Sequence, residues 1–340
     1  MLTGVNLKED FDTVNVYFAH VDRVNMSYSC LPAFKLQFRS QRSGMSHQEV
    51  DDPARADVIL FTECHQLPDE WNLESIANSR EYSLYPHKVA VYDERDTPWC
   101  RFPGIYVSMP ARNFVEEWQI AGSYYHVEEN EERLPKNRGQ RKPDLLFSFI
   151  GSRSHRCREE IFRLQSPDSL VERTDGFVFY DPESANFQER RRTFSEIVER
   201  SKFVLCPRGQ GVASIRLFEV MSAGRVPVII SDEWQEPPGP KWEEFSFRWA
   251  ESNIGALPGF LESQESRAAQ MGMLARQAYD SWFASEVVMS RAFDQLEDMM
   301  LRQHDNRFPS RGVRNGQYLR CLGNWQIGRA RGLLRSVARR

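Results

Sequence analysis

The chain has 340 residues, 41% of them apolar and 27% charged, with a formal net charge of −4. That describes two ordinary soluble domains or one large one, and excludes a disordered or collagen-like chain. No apolar run reaches the roughly 18 residues a membrane helix needs. The acidic start MLTGVNLKEDFDTV lacks an apolar signal core, so a cytoplasmic location is expected.

In chain order, the first half alternates apolar strands with polar connections. NVYFAHV (15–21), ADVILF (56–61), HKVAVYDE (87–94) and the shorter GIYVSMP (104–110) read as strands. Runs that are apolar throughout and end in polar residues suit a parallel sheet buried on both faces. The charged stretch HVEENEERLPKNRGQRKPD (126–144) reads as a linker. The pattern then restarts with LLFSFIGS (145–152) as a strand, HRCREEIFRLQ (155–165) as a helix, GFVFY (176–180) as a strand and NFQERRRTFSEIVERS (186–201) as a charged helix. Between 260 and 301, apolar residues at helical spacing (Met271, Leu274, Ala278, Trp282) predict closing helices. Strand–helix alternation on both sides of one linker predicts an α/β chain of two Rossmann-like doubly wound domains facing a cleft. The expected units are 1–140, 141–301 and a basic tail at 302–340.

That tail holds ten arginines and one acid (Asp305), net +9, and leaves −13 on the rest of the chain. Such an asymmetry suggests attraction to an anionic surface, with a solvated basic terminus as the plain alternative. With an acidic body, a nucleic-acid partner is not expected. Six cysteines (Cys30, Cys64, Cys100, Cys157, Cys206, Cys321) show no C-x-x-C pair. They are expected as reduced core residues, not as a disulfide framework or a structural zinc site.

The most informative stretch is SKFVLCPRGQGVASIRLFEVMSAGRVPVIISDEW (201–234). A strand ends at Pro207, the loop Arg208-Gly209-Gln210-Gly211 follows, and a helix begins near Ser214. Ligands of open α/β sheets sit beyond the carboxyl ends of strands, and glycines plus free helix N–H groups favour a phosphate there. Arg216 and Glu219, three apart, share one helix face while Leu217, Val220 and Met221 take another. Arg216 would hold a diphosphate in a bidentate fork and Glu219 would accept from ribose hydroxyls; an exposed ion pair beside an ordinary turn is the alternative. Gly224 is placed to end the helix. Neither a P-loop nor a dinucleotide fingerprint occurs here.

The run S-K-F-x-L-C-P-x-G-x-x-x-x-S-x-R-L-F-E-x-M-x-A-G-x-V-P-V-I-I-S-D, with Ser201, Phe203, Leu205, Pro207, Gly209, Ser214, Arg216, Glu219, Gly224, Pro227 and Asp232, resembles the signature of the exostosin-type glycosyltransferases. LLFSFIGSRSHRCREEI is similar to the family's strand–glycine–Arg segment. The resemblance spans about 141–290 and implies a GT-B arrangement whose second half binds a nucleotide diphosphate sugar, usually a uridine one, and whose transfer inverts the anomeric centre. It implies Gly151, Arg153, Arg158, Pro207, Arg208, Gly209, Gly211, Ser214, Arg216 and Glu219 as donor-site residues. Two departures stand out. Arg225 occupies a position where the family usually has Cys, and the N-terminal half shows no quotable acceptor-domain pattern. The membrane anchor of animal and plant relatives is missing from the sequence, which suggests a compact cytoplasmic form.

Inverting transfer needs a base for the acceptor hydroxyl and stabilisation of the leaving diphosphate. No D-x-D followed by further ligand acids occurs in the donor half, so no obligatory metal or other cofactor is expected, and Arg216, helped by Arg208 and Arg153, would take the diphosphate. The base is expected at strand ends of the first domain, with Glu63 and Asp93 first, then Glu94, Asp96 and His65, each of which could instead be an ordinary loop or paired group. His20 could contact the acceptor or serve structure. Trp99, Phe102, Trp118, Tyr124 and Tyr125 could wall a sugar site but suit a core better. The leading reading is a glycosyltransferase of polysaccharide synthesis, acting on a saccharide or lipid-linked saccharide acceptor. A nucleotide-sugar epimerase or hydrolase of the same fold, or a non-catalytic glycan-binding relative, is the alternative.

Overall fold

Short parallel strands that are apolar throughout need cover on both faces, and the fold supplies it twice. The structure, a computed structural model, describes residues 13–21, 31–40, 47–62, 70–96, 98, 100–124, 142–174 and 187–304. The first unit runs β1 (Asn15–Ala19), α1 (Leu31–Arg39), β2 (Gln48–Glu49), β3 (Val58–Phe61), α2 (Glu70–Ala77), α3 (Arg80–Leu84), β4 (Val89–Asp93), β5 (Gly104–Tyr106) and β6 (Gln119–Ala121). Its sheet is parallel throughout, in the order β2-β1-β3-β4-β5-β6. β3 and β4 are wholly buried. Val58 and Leu60 enter one core while Ile59 and Phe61 enter another, the period-2 division that a doubly covered sheet requires.

The second unit runs β7 (Leu145–Gly151), α4 (Arg156–Ile161), β8 (Ser169–Arg173), α5 (Phe187–Arg200), β9 (Ser201–Pro207), α6 (Ile215–Ser222), β10 (Val226–Ile230), α7 (Trp242–Phe245), β11 (Phe247–Arg248), α8 (Leu257–Gln264), α9 (Ala268–Trp282) and α10 (Ser285–His304). These strands are also parallel, ordered β11-β10-β9-β7-β8. The order reverses between β7 and β9, which opens a crevice at their carboxyl ends. The two-domain α/β expectation holds. The strand expected at 176–180, most of the expected linker and nearly all of the basic tail lie outside the described residues. No described helix is long and apolar enough to cross a membrane.

The units share a core. α10, grouped by sequence with the second unit, packs on α1, β3 and β5 of the first. Phe293 meets Phe18 and Phe38 edge-on, with centroids 6.2 and 5.1 Å apart. One apolar cluster runs from Val16 and Phe18 through Leu217 and Phe218 to Leu296 and Met300.

α6 ends as expected at Gly224. With φ +67°, Gly224 donates to the Met221 carbonyl at 2.9 Å, and Arg225 N–H reaches the Val220 carbonyl at 3.1 Å. These two bonds make a Schellman motif, a left-handed turn that glycine adopts without strain. Arg225, the departure from the family pattern, is buried and donates from Nε and Nη2 to the Glu199 carbonyl at 3.1 and 2.6 Å, tying this turn to the end of α5. α9 packs on the same turn so closely that a Cβ on Gly272 would lie 2.4 Å from the Gly224 carbonyl oxygen. Gly272→Ala should therefore destabilise despite the helix propensity gained, since overpacking costs about 1–3 kcal/mol and alanine returns only about 1 kcal/mol. A melting midpoint lower by about 2–4 °C is expected by calorimetry.

Candidate active site

The crevice at the β7/β9 reversal is a cleft of about 390 Å³, in the size range of small-molecule sites. Its floor comes from the ends of β7 and β9 and the first turns of α6, one wall from α5, and the opposite lip from the first unit through Asp96 and Tyr124. Ser214, Arg216 and Glu219 all line it. Ser214 takes the N-cap position without a side-chain cap bond, so its hydroxyl does not occupy the first N–H groups of α6.

Arg216 is held in place before any ligand arrives. Its guanidinium lies 4.7 Å over the Phe149 ring and 5.7 Å from that of Phe194, and Nη2 donates to the Ile150 carbonyl. Gly151 makes room for this, since a Cβ there would sit 2.9 Å from Phe149 Cζ and 3.2 Å from Arg216 Nη2. Glu219, one turn on, is 1% exposed.

Arg158 also lines the cleft, but most of its donors serve the backbone. Nε donates to the Arg208 carbonyl at 2.8 Å, Nη1 to Ser152 at 3.1 Å and Nη2 to Pro207 at 3.2 Å. It thereby joins the loop after β7 to the loop after β9. Burial, reinforced by the charge of Arg216, lowers its pKa to about 9. Gly209 lines the cleft above it, whereas Arg153 points away, its side chain 55% exposed and paired with Glu159 at 2.9 Å. Arg208 sits behind the cleft, 4.0 Å from Glu251.

Gly211 packs tightly against the first unit. A Cβ there would meet Ser108 Oγ at 2.4 Å and Asp96 Oδ1 at 2.5 Å. Its N–H donates to the Asp96 carboxylate, and the next contact along is Ala213 N–H to Ser108 Oγ at 3.0 Å. Asp96 remains accessible as a residue, yet burial of its carboxyl raises its pKa, opposed by the Gly211 bond and the charges of Arg158 and Arg208.

The other expected acids lie elsewhere. Asp93, placed first by its strand end, is fully buried and accepts from Arg95 through its backbone N–H at 3.0 Å and its guanidinium at 2.6–3.1 Å. That bidentate pair occupies the carboxylate and keeps it off the cleft. Glu94 is likewise buried and is not among the cleft residues. Glu63, His65, Trp99 and Tyr125 lie outside the described residues. Sequence reasoning missed Arg190, Arg191 and Phe194, which α5 turns into the cleft. The signal was the run Glu189-Arg190-Arg191-Arg192, an unusual density of cations for an ordinary solvated face.

Behind the cleft, three ligand-type side chains meet. His155 Nδ1, Cys157 Sγ and a Glu251 oxygen lie within 4.8 Å of one another. Burial, helped by Arg208, Arg156 and Arg158, lowers the His155 pKa to about 4, and burial pushes the Cys157 thiol up to about 11.

The family model of the Exostosin GT47 domain matches residues 94–264. The chain is 26% identical over 222 residues to the Exostosin-1 homolog of Caenorhabditis elegans, covering 59% of this chain and 57% of that protein. To Exostosin-1a of Danio rerio it is 25% identical over 151 residues, covering 41% of this chain and 20% of that one. The chain thus spans little more than half of the first relative's length and a fifth of the second's. A glycosyltransferase structure from Rickettsia africae ESF-5 superposes with a TM-score of 0.43 at 8% identity, covering 86% of this chain and 100% of that one.

Arg158→Gln should cost about 2–4 kcal/mol in urea unfolding, because the buried carbonyls of Ser152, Pro207 and Arg208 lose a charged donor. A second expectation concerns acid. With a folded pKa near 4 against about 6.5 unfolded, the stability held by neutral His155 is complete above pH 6.5 and is lost as pH falls toward 4. His155→Asn, which keeps a capping side chain, should flatten the fall in melting midpoint across that window relative to wild type.

Proposed function

We propose that this chain, a member of the Exostosin GT47 family, is a glycosyltransferase that moves a sugar from a uridine diphosphate sugar to a hydroxyl of a saccharide or lipid-linked saccharide, inverting the anomeric centre. The observation that carries this reading is the pairing of opposed groups across one cleft. Arg216 and the start of α6 lie on the second unit, and Asp96 reaches in from the first.

In this reading the diphosphate lies over the first turn of α6, between the Arg216 guanidinium and the helix N–H groups, where both charge and dipole favour an anion. Arg190 and Arg191 extend the positive wall from α5. Glu219 accepts from the ribose hydroxyls. Asp96, its pKa raised by burial, takes the proton of the acceptor hydroxyl as its oxygen forms the new bond to the anomeric carbon. The bond from that carbon to the diphosphate oxygen breaks, and the charge left on the diphosphate falls on Arg216, already stacked in place and needing no reorganisation. Inversion follows from attack opposite the leaving group. The arginine-rich segment 302–340 supports peripheral contact with an anionic leaflet on the cytoplasmic side, near a lipid-linked acceptor.

Uridine diphosphate at 100 times its dissociation constant should stabilise the protein by about 2.7 kcal/mol, read as a raised melting midpoint, and Arg216→Ala should abolish that response. Asp96→Asn should keep the nucleotide response yet lower kcat by about 10²–10⁴-fold. Absence of a shift with any nucleoside diphosphate would overturn the donor assignment, and an unchanged kcat in Asp96→Asn would overturn the base.

A further inference from the structure

The group behind the cleft has the composition and spacing of a metal site, although no cysteine motif in the sequence announces one. His155 precedes α4, Cys157 lies in its first turn, and Glu251 comes from the segment just after β11 that packs on α4. None of the three lines the donor cleft. His155 Nδ1 stands 3.2 Å from Cys157 Sγ and 3.8 Å from Glu251 Oε2. In a tetrahedral zinc site, Zn–N and Zn–O near 2.1 Å and Zn–S near 2.3 Å place N and S about 3.5 Å apart and N and O about 3.4 Å apart. Those two separations straddle the values a zinc ion requires, and the third, Cys157 Sγ to the carboxylate, is within 4.8 Å, so the three atoms can close on one ion.

The carboxylate is also oriented for the task. Glu251 Oε1 accepts from Asp232 N–H at 3.2 Å and faces Arg208 Nη1 at 4.0 Å, while Asp232 Oδ1 accepts from Glu251 N–H at 3.1 Å. That reciprocal pair fixes one oxygen and turns Oε2 toward His155 and Cys157, the supporting arrangement that holds metal-ligating carboxylates in place. On the imidazole, Nδ1 meets Cys157 through its Sγ and through a long 3.4 Å contact from its backbone N–H. A metal can take that lone pair in exchange for these two weak contacts. Arg156, Arg158 and Arg208 oppose a cation here. A ligand set that becomes doubly anionic on binding, one thiolate and one carboxylate, cancels the charge of a divalent ion and meets this opposition.

We propose that His155, Cys157 and Glu251 form a three-ligand site for a divalent transition metal of the zinc type, separate from the reacting groups, with water as the fourth ligand. The Cys157 S–H bond breaks, its proton leaves to solvent, and S–metal, N–metal and O–metal bonds form. Because Cys157 adjoins Arg158 and Glu251 faces Arg208, an ion here pins the start of α4 to the segment after β11 and so stiffens both loops that Arg158 joins.

Cobalt(II) tests this, since it follows zinc into such sites and reports sulfur ligation by colour. The full chain, stripped with chelator and titrated with Co²⁺, should bind one equivalent with tetrahedral visible bands and a thiolate-to-cobalt charge-transfer band, both displaced by Zn²⁺. Cys157→Ser should lose the charge-transfer band, and Glu251→Gln should keep it while weakening binding more than about tenfold. A wild type with no saturable spectrum, or with cobalt bound without sulfur character, overturns the site, and this readout needs no variant to fold. A charge-transfer band that survives in folded Cys157→Ser overturns it as well. Nucleotide binding at Arg216 is measured separately, so failure here leaves the donor assignment untouched.

Discussion

The guanidinium of Arg158 is the joint on which the candidate site rests. It is buried and grips carbonyls from two different crossovers, Ser152 after β7 and Pro207 and Arg208 after β9. These are the two strands at which the sheet order reverses, so one side chain ties together the two loops that border the crevice. A buried cation is tolerated only when its hydrogen-bonding capacity is well used, and backbone carbonyls use it without cancelling its charge. Arg216 stacks on the same Phe149 ring, with guanidinium-to-centroid distances of 4.7 Å for Arg216 and 5.6 Å for Arg158. Two cations so close repel each other, and the protein meets that repulsion on folding. The proposed diphosphate would relieve it, which is how a site becomes attractive to an anion without having to move.

The same economy governs the helix that presents Arg216. α6 has only eight residues, too few to be stable alone, and is fixed at both ends by other elements. Ser108 holds its approach through Ala213, the Schellman turn closes its end, and Arg276 of α9 donates to the Ser222 carbonyl. Arg225 explains itself in this setting. A longer residue than the family's usual Cys reaches the Glu199 carbonyl and ties α6 to α5, the helix carrying Arg190 and Arg191.

Much of this was legible from local pattern. Apolar runs ending in polar residues located β3, β4, β7, β9 and β10, because strands buried on both faces leave an unambiguous signature. Gly224 marked the helix end, and the Arg216–Glu219 spacing put both groups in one cleft. What escaped was anything decided by a partner remote in sequence or by rotamer. Asp93 and Asp96 both follow an apolar strand, but a guanidinium two residues on captures the first, while the second meets the backbone of Gly211. Short or half-exposed strands such as β6 and β8 carry too few apolar residues to stand out. The His155, Cys157 and Glu251 cluster depends on the packing of α4 against a segment about a hundred residues away, which no local spacing encodes.

The return of α10 to the first sheet changes what counts as a separable part of this chain. Phe293, Leu296 and Met300 sit in the same apolar cluster as Phe18, Leu31 and Phe38, so the two sheets are lobes of a single cooperative body. A fragment that stopped after α9 would strip cover from β3 and β5 and leave an oily face in water, even though every residue of the cleft were present. Because α10 packs on α9 as well as on α1, β3 and β5, it works like a strap that fastens one lobe to the other.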